Sequence, residues 1–338
     1  GSGIWCRYNN SVGLAHRRLS IIDISEKASQ PMIGENNTVI TFNGEIYNHI
    51  ELRDSLRDHW NFLSESDTEC ILAAYSRYGD KCLDYFRGMF AFALWDESKQ
   101  RLFCARDRLG IKPFYYSVID GVFHFASEAK ALIPFLKNVE TSPSALAEYL
   151  TFQYTLGEET LFKGIRQLLP GHYLVVENND VKIRRYWDVR YEIDNEHSST
   201  YFSKRLNELV NESLSMHLRS DVLVGSYVSG GIDSSLLYTL ANKNNNSNPL
   251  GFHGRFTNPP PGYDESKYAM TAAKQSDGIL KIIDIDSTCF RKHIRDVIYH
   301  LDFPAAGPGS FPQFMVSKLA AESVKVLLGG QGGDELFG

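Results

Sequence analysis

Two glycine-rich stretches carry residue types suited to gripping a polyphosphate. The first is Val228-Ser229-Gly230-Gly231-Ile232-Asp233-Ser234-Ser235, placed where an apolar run gives way to a helical pattern. Such a junction presents unpaired backbone N–H groups at the positive end of a helix dipole. Glycines let the backbone close on a phosphate, and hydroxyls add donors. No lysine follows the glycines, so this is not the loop that holds a β/γ-phosphate for phosphoryl transfer. It matches better the pyrophosphate loop of enzymes that cleave ATP between the α and β phosphates and adenylate a carboxylate. Asp233 sharpens the reading, because a carboxylate beside phosphates is repulsive unless Mg²⁺ lies between them. The second stretch, Gly329-Gly330-Gln331-Gly332-Gly333-Asp334-Glu335, also follows an apolar run and ends in acids. Two such turns fit one triphosphate held from two sides with magnesium between, at the carboxyl ends of parallel strands. Taken singly, each could equally be a tight turn, with Asp233 a helix cap.

The elements that must position these loops alternate. A helix over 201–218, a strand over 223–228, a helix from 234 to about 241, strands over 250–256 and 279–285 with a helix at 265–275 between them, a helix near 311–323 and a strand at 325–328 predict a doubly wound parallel sheet. The polar run 242–248 reads as a loop. The first half has a different rhythm. Runs 37–42, 89–95, 101–106, 114–118 and 122–126 are short and β-rich, the first leading into a turn-like Asn43-Gly44. Ser66-Asp67-Thr68-Glu69 has capping-box spacing, and Ser142-Pro143 opens another helix. An α+β domain with stacked sheets is expected over 1–190 and an α/β domain over 200–338, with the polar stretch 188–199 between them.

Length and composition agree with two ordinary globular domains: 338 residues, 43% hydrophobic and 22% charged. A net charge of -6 gives no reason to expect nucleic acid or an anionic membrane. No apolar run approaches the roughly 18 residues that span a bilayer, and no signal peptide opens the sequence. The five cysteines form no CxxC pair, which fits a reduced, cytoplasmic protein.

Five further segments occur in order: His16-Arg17-Arg18-Leu19-Ser20-Ile21-Ile22-Asp23, Phe42-Asn43-Gly44-Glu45-Ile46-Tyr47-Asn48, Ser66-Asp67-Thr68-Glu69, Gly88-Met89-Phe90-Ala91-Phe92-Ala93 and Arg106-Asp107-Arg108-Leu109-Gly110-Ile111-Lys112-Pro113. With the two loops, they resemble glutamine-hydrolysing asparagine synthetase along nearly the whole chain. The resemblance implies an N-terminal-nucleophile (αββα) glutaminase domain followed by an ATP-pyrophosphatase-type synthetase domain. Ammonia released from glutamine would attack an acyl-adenylate, β-aspartyl-AMP, giving the amide, AMP and pyrophosphate. It further implies that Arg18 grips the glutamine α-carboxylate, which suits guanidinium's paired donors. Glu45 and Asp67 would hold the α-ammonium, and the Asn43 amide with the Gly44 N–H would form the oxyanion hole. For ATP it implies Val228, Ser229, Gly230, Gly231, Asp233, Ser234, Gly254, Gly329, Gly330 and Gln331, with Asp233 and Asp334 on Mg²⁺. On residue type alone, Arg18 could be an ion-pairing surface residue, Asn43-Gly44 a turn, Asp67 a first-turn acid and Glu45 a solvated loop residue. Arg108 and Lys112 stand as scaffold residues whose role the sequence does not yield.

The sequence also departs from that pattern. The family's nucleophile is an amino-terminal cysteine whose own α-amine acts as base, whereas position 1 is Gly1. Cys6 is internal and too close to Arg18 for the family spacing, so it is expected to be a half-buried structural residue. The chain is therefore expected to be a piece of a longer protein, without glutaminase activity on its own. Gln331 stands where aspartate-using members often carry an acid. The stretch 301–317, expected to help line the acceptor site, has no Arg or Lys to meet an aspartate carboxylate. Three alternatives stay open: an amidotransferase for another carboxylate, a β-lactam-synthetase-like ligase, or a non-catalytic nucleotide-binding module. Small molecules (glutamine, ATP, aspartate or another carboxylate) are the expected partners, and a homodimer is compatible.

Overall fold

The computed structural model describes residues 1–9, 11–244, 249–304, 307 and 309–337. They form two compact units, Gly1–Glu192 and Ile193–Gly338.

The first unit contains β1 (Ser2–Cys6), β2 (Gly13–Arg17), β3 (Met32–Ile33), β4 (Thr38–Ile46), α1 (His49–Leu56), α2 (Asp67–Tyr78), β5 (Gly88–Asp96), β6 (Arg101–Arg106), β7 (Tyr115–Ile119), β8 (Val122–Ala126), α3 (Pro143–Phe152), β9 (Arg166–Gln167), β10 (His172–Glu177) and β11 (Asp180–Arg185). An antiparallel sheet of order β11-β10-β6-β5-β4-β3 is its centre. Period-2 alternation gives this sheet two buried faces. Phe42, Phe90, Phe92 and Phe103 pack against Leu52 and Leu56 of α1 and Ile71 and Leu72 of α2. Val39, Ala91, Ala93, Trp95 and Cys104 face Phe114, Tyr116 and Phe125, which belong to or flank the smaller sheet β8-β7-β9. Each buried phenylalanine contributes roughly 1.5–3 kcal/mol by leaving water. Stacked sheets under helices make this unit α+β.

Several local expectations change here. Asn43-Gly44 is no turn: both lie inside β4, opposite Ala91 and Phe90 of β5. Cross-strand pairing overrides the local turn signal. Ser66 does cap α2, accepting from Thr68 N at 3.2 Å. Glu69, however, does not close a capping box. Its carboxylate accepts from Trp60 Nε1, Leu63 N and Ser64 N, which fastens the loop before α2. Cys6 is exposed rather than half-buried, at the outer end of the two-stranded sheet β1-β2.

The second unit contains α4 (Ser199–His217), β12 (Val224–Tyr227), α5 (Ile232–Asn244), β13 (Leu250–Phe256), α6 (Ser266–Gln275), β14 (Ile279–Ile285), α7 (Ser287–Leu301), α8 (Ser310–Ala320), β15 (Val326–Leu328) and α9 (Gly333–Phe337). Its sheet is wholly parallel, of order β14-β13-β12-β15. The order reverses at β12, so the switch point falls between β12 and β15. Helix α7, capped by Asp286, was not expected from the sequence. The run 242–248 is partly helical, since α5 extends to Asn244, and 245–248 lie outside the described residues. Within 301–317, residues 305, 306 and 308 also lie outside them. No helix among the described residues is long and apolar enough to cross a membrane.

Candidate active site

One cavity of about 570 Å³ in the first unit is lined by Arg18, Asn43, Gly44, Glu45 and Asp67 together. Three elements deliver them: the end of β2, the second half of β4 and the first turn of α2. The reason lies in the edge of β4. Strand β3 covers only Val39 and Ile40, so the outer edge of β4 is open beyond them. Alternate amides point to that edge. Phe42 N donates to Gln30 Oε1 at 2.7 Å, and Ile46 N donates to Asp67 Oδ2 at 2.9 Å. Between them stands Gly44. Its partner Phe90 turns both backbone groups the other way, to Asp107, so the Gly44 N–H points to the cavity edge. Gly44 has φ +152°, and a Cβ there would lie 2.1 Å from Met89 O. Only glycine fits. The Asn43 Nδ2 donates to Ser127 Oγ at 3.3 Å, which fixes its orientation.

Arg18 is half-buried, and its Nη2 donates to Ile22 O at 2.8 Å and Asp23 O at 2.6 Å. Its guanidinium is thus held by backbone carbonyls while it faces the cavity. Asp23 in turn accepts from Glu65 N at 2.8 Å, which ties this loop to the entry of α2.

The two acids are buried, so neither is a surface residue: Glu45 is 5% exposed and Asp67 6%. Burial pushes the Glu45 carboxyl up to about 8; neighbouring Asp67 adds to this, and Lys112 opposes it. Asp67 is pushed up to about 6 by burial, against the amides of Ile46 and Thr68 and the charge of Arg18. Burial and the Arg18 charge lower His16 to about 4, so its imidazole is neutral. Its Nδ1 pairs with Thr41 Oγ1 at 3.0 Å. Sequence reasoning missed His16, Ser127 and Lys112 as cavity-lining residues. His16 and Lys112 lie inside motifs already singled out and Ser127 in none, and only tertiary packing shows which side chains face inward.

In the second unit the two glycine loops leave the carboxyl ends of the adjacent strands β12 and β15. They come together closely: a Cβ on Gly330 would lie 2.9 Å from both Asp233 Cβ and Ser234 N. Ser229 and Ser234 are joined by their hydroxyls at 2.8 Å, and Ser229 Oγ also accepts from Gly231 N at 3.2 Å. Ser235 N begins the helical ladder by reaching Gly231 O, which leaves the amides of Ile232, Asp233 and Ser234 without intrahelical partners. Val228 is fully buried at the strand end, and Gly254 lies two residues past the last β12–β13 pair, packed against Val316. Gln331 and Asp334 are exposed, and Gly329 sits at the end of β15. Buried His253 also contributes, unforeseen: Nδ1–H donates to Val228 O at 2.7 Å, so Nε2 accepts from Ser266 Oγ at 2.9 Å. It pins the first loop to the start of α6. Among the described residues no three His, Cys, Asp or Glu gather as a metal cage. The donor set therefore suits Mg²⁺ only jointly with phosphate oxygens, the usual manner for that ion.

These two folds define a class: an N-terminal-nucleophile amidotransferase domain of α+β build, followed by an α/β domain of ATP-pyrophosphatase type. Residues 1–187 match the family of the glutamine amidotransferase domain, and residues 205–338 match asparagine synthase. The chain is 35% identical over 340 residues to glutamine-hydrolyzing asparagine synthetase 1 of Bacillus subtilis, covering 98% of this chain and 52% of that protein. It is 32% identical over 346 residues to amidase chyE of Penicillium rubens, covering 97% and 51%. The chain belongs to the glutamine-hydrolysing asparagine synthetase family, and spans about half the length of these relatives. Glutamine phosphoribosylpyrophosphate amidotransferase from Bacillus subtilis, complexed with ADP and GMP, superposes with a TM-score of 0.39 at 16% identity, over 81% of this chain and 67% of that one. That likeness is too distant to carry an argument.

Proposed function

We propose that the whole protein is a glutamine-dependent asparagine synthetase, and that the cavity of the first unit is its glutamine site. The observation that carries this reading is the gathering of Arg18, Asn43, Gly44, Glu45 and Asp67 around one cavity. Arg18 would take the α-carboxylate, and Glu45 with Asp67 the α-ammonium. The Gly44 N–H and Asn43 amide would receive the oxyanion formed when a thiolate attacks the side-chain amide. The attacking thiol would be that of an amino-terminal cysteine, as the family resemblance implies. Cys6 lies at the end of β1 remote from Arg18, because the β1–β2 register pairs Ser2, not Cys6, with Arg17. Released ammonia would then attack an acyl-adenylate made from ATP and a carboxylate.

For ATP, the loops at β12 and β15 would hold the phosphates through the amides after Gly231, the hydroxyls of Ser229 and Ser234, and the backbone of Gly329, Gly330 and Gln331, beside Val228, Gly230 and Gly254. Mg²⁺, when bound, would neutralise the phosphates between Asp233 and Asp334. This chain's own residues orient the polyphosphate and keep both acids close to it. A second reading, amidation of another carboxylate, is favoured by the lack of Arg and Lys across 301–317. Isotope exchange between pyrophosphate and ATP separates the two. Aspartate should support exchange by the whole protein; exchange supported only by a different carboxylate assigns the second reading, and exchange with none removes both.

A further inference from the structure

The turn Arg106–Lys112 is the one motif of the first unit left without a role, and its construction is directed at a single side chain. Asp107 is 1% exposed and accepts from Leu109 N, Ile111 N and Lys112 N at 2.9–3.1 Å, and from Phe90 N at 3.2 Å. Arg106 donates from Nε to Lys112 O and from Nη2 to Gly110 O, both at 2.8 Å. The backbone of Lys112 is therefore clamped at its N–H by a buried carboxylate and at its carbonyl by a guanidinium. The other cation of the turn, Arg108, is taken by the carbonyls of Phe86, Leu83 and Asp84. Lys112 alone is presented to the cavity, half-buried, beside Glu45.

Among the described residues, neither the Lys112 ammonium nor the Glu45 carboxylate has a hydrogen-bond or ion-pair partner. Both line the cavity, Glu45 buried and Lys112 half-buried, where the charged groups of a ligand can reach them. The cavity's inner charges are two acids, Glu45 and Asp67, and two cations, Arg18 and Lys112. That balance matches a zwitterion, whose ammonium and carboxylate add no net charge. Without Lys112, two buried carboxylates would face one guanidinium whose Nη2 is already bound to two carbonyls.

We propose that Lys112 is a further positioning residue of this cavity, the second cation that lets Glu45 and Asp67 stand charged together for the ammonium of an α-amino-acid ligand, with the Arg106–Lys112 turn as the device that holds it. The proposal rests on the glutamine reading above. The electrostatics agree: the Lys112 charge opposes the upward push on the Glu45 carboxyl, while Glu45 and Asp107 partly offset the lowering of the Lys112 amine by burial. The other groups around Glu45 are His16 and Arg18 at β2, Tyr47, Asp67 on α2, Asp107 behind Lys112 and Glu128 after β8. Lys112 also repels an incoming ammonium, while its charge favours the ionised Glu45 carboxylate that receives that ammonium.

The test uses the whole protein with glutamine or ammonia as nitrogen source, comparing Lys112→Met, Lys112→Gln and Lys112→Arg with Arg18→Ala. Lys112→Met and Lys112→Gln should raise the KM for glutamine about tenfold at pH 7.5 and move the acid limb of kcat/KM up by about one pH unit. Lys112→Arg should restore both, and ammonia-dependent synthesis should be unchanged throughout. An unmoved KM and acid limb in both neutral variants, with Arg18→Ala impaired for glutamine, overturns the role of Lys112 alone. Equal loss with both nitrogen sources overturns it too, as the mark of a structural residue. If Arg18→Ala also leaves glutamine use intact, the glutamine reading falls with it.

Discussion

The two candidate sites are built from opposite materials. In the first unit, buried side chains do the work: two acids inside the fold, a guanidinium tied to carbonyls, and one free amide in mid-strand. In the second unit, the backbone does it: glycine turns at strand ends, with Gln331 and Asp334 in solvent. The difference follows from the ligands each is suited to. A small zwitterion is recognised by fixed opposite charges that must be desolvated to discriminate, which shifts their protonation. A polyphosphate is gripped by many weak donors that only unhindered backbone can bring close. Both sites depend on a glycine that no side chain can replace, but only the first is built on buried titratable groups and is consequently sensitive to pH.

The largest test of that contrast is Gly44→Ala. The added Cβ would strike Met89 O and displace the amide proposed to receive the oxyanion, so glutamine hydrolysis by the whole protein should fall by about 10²–10³ or more. Pyrophosphate exchange in the same protein should remain; equal loss of both would mean the two sites do not act separately. Gly330→Ala is the mirror experiment. Its Cβ would press on Asp233 and Ser234 N, and exchange should fall by about 10² while glutaminase survives, since roughly 1–3 kcal/mol of overpacking lands on the loop itself.

The pH test is next in size. On the proposed reading the ammonium of glutamine needs Glu45 and Asp67 ionised, and both are pushed up, to about 8 and about 6. Binding should therefore weaken as pH falls below 8 and more steeply below 6, by up to about tenfold per unit for each group. It should also release protons near pH 7, visible by titration calorimetry in buffers of different ionisation heat. Binding of ATP presented as its Mg²⁺ complex, whose terminal phosphate is already ionised, should lack this signature between pH 6 and 8, and a matching one there would erase the contrast. The smallest effect concerns support. Ser66→Ala removes the α2 cap beside Asp67 and should cost about 1 kcal/mol of stability, measured by denaturant unfolding, with only a modest rise in the KM for glutamine.

Much of the fold was legible because hydrophobic period is local. Strands 101–106, 122–126, 250–256 and 279–285 fall where alternation and apolar runs place them. Helix α7 was not expected although its sequence carries the signal: Phe290, Ile294, Val297, Ile298 and Leu301 recur at helical spacing after the cap Asp286. The Asn43-Gly44 pair was misread for the opposite reason: a strong local turn signal lost to nine residues of pairing with β5.

The sequence by itself determined the residue types of both sites: the paired acids, the arginine, and the glycine loops with their serines and aspartates. Motif chemistry is carried by a few contiguous residues, so it survives without any knowledge of packing. Tertiary structure decided three things that no local window contains. It left the Gly44 amide facing outward, because β3 stops short along β4. It set the two phosphate-type loops side by side, because β15 pairs with β12 across about 100 residues of chain. It turned Lys112 from scaffold into cavity wall, because the turn that Asp107 and Arg106 hold at its backbone lies against the cavity.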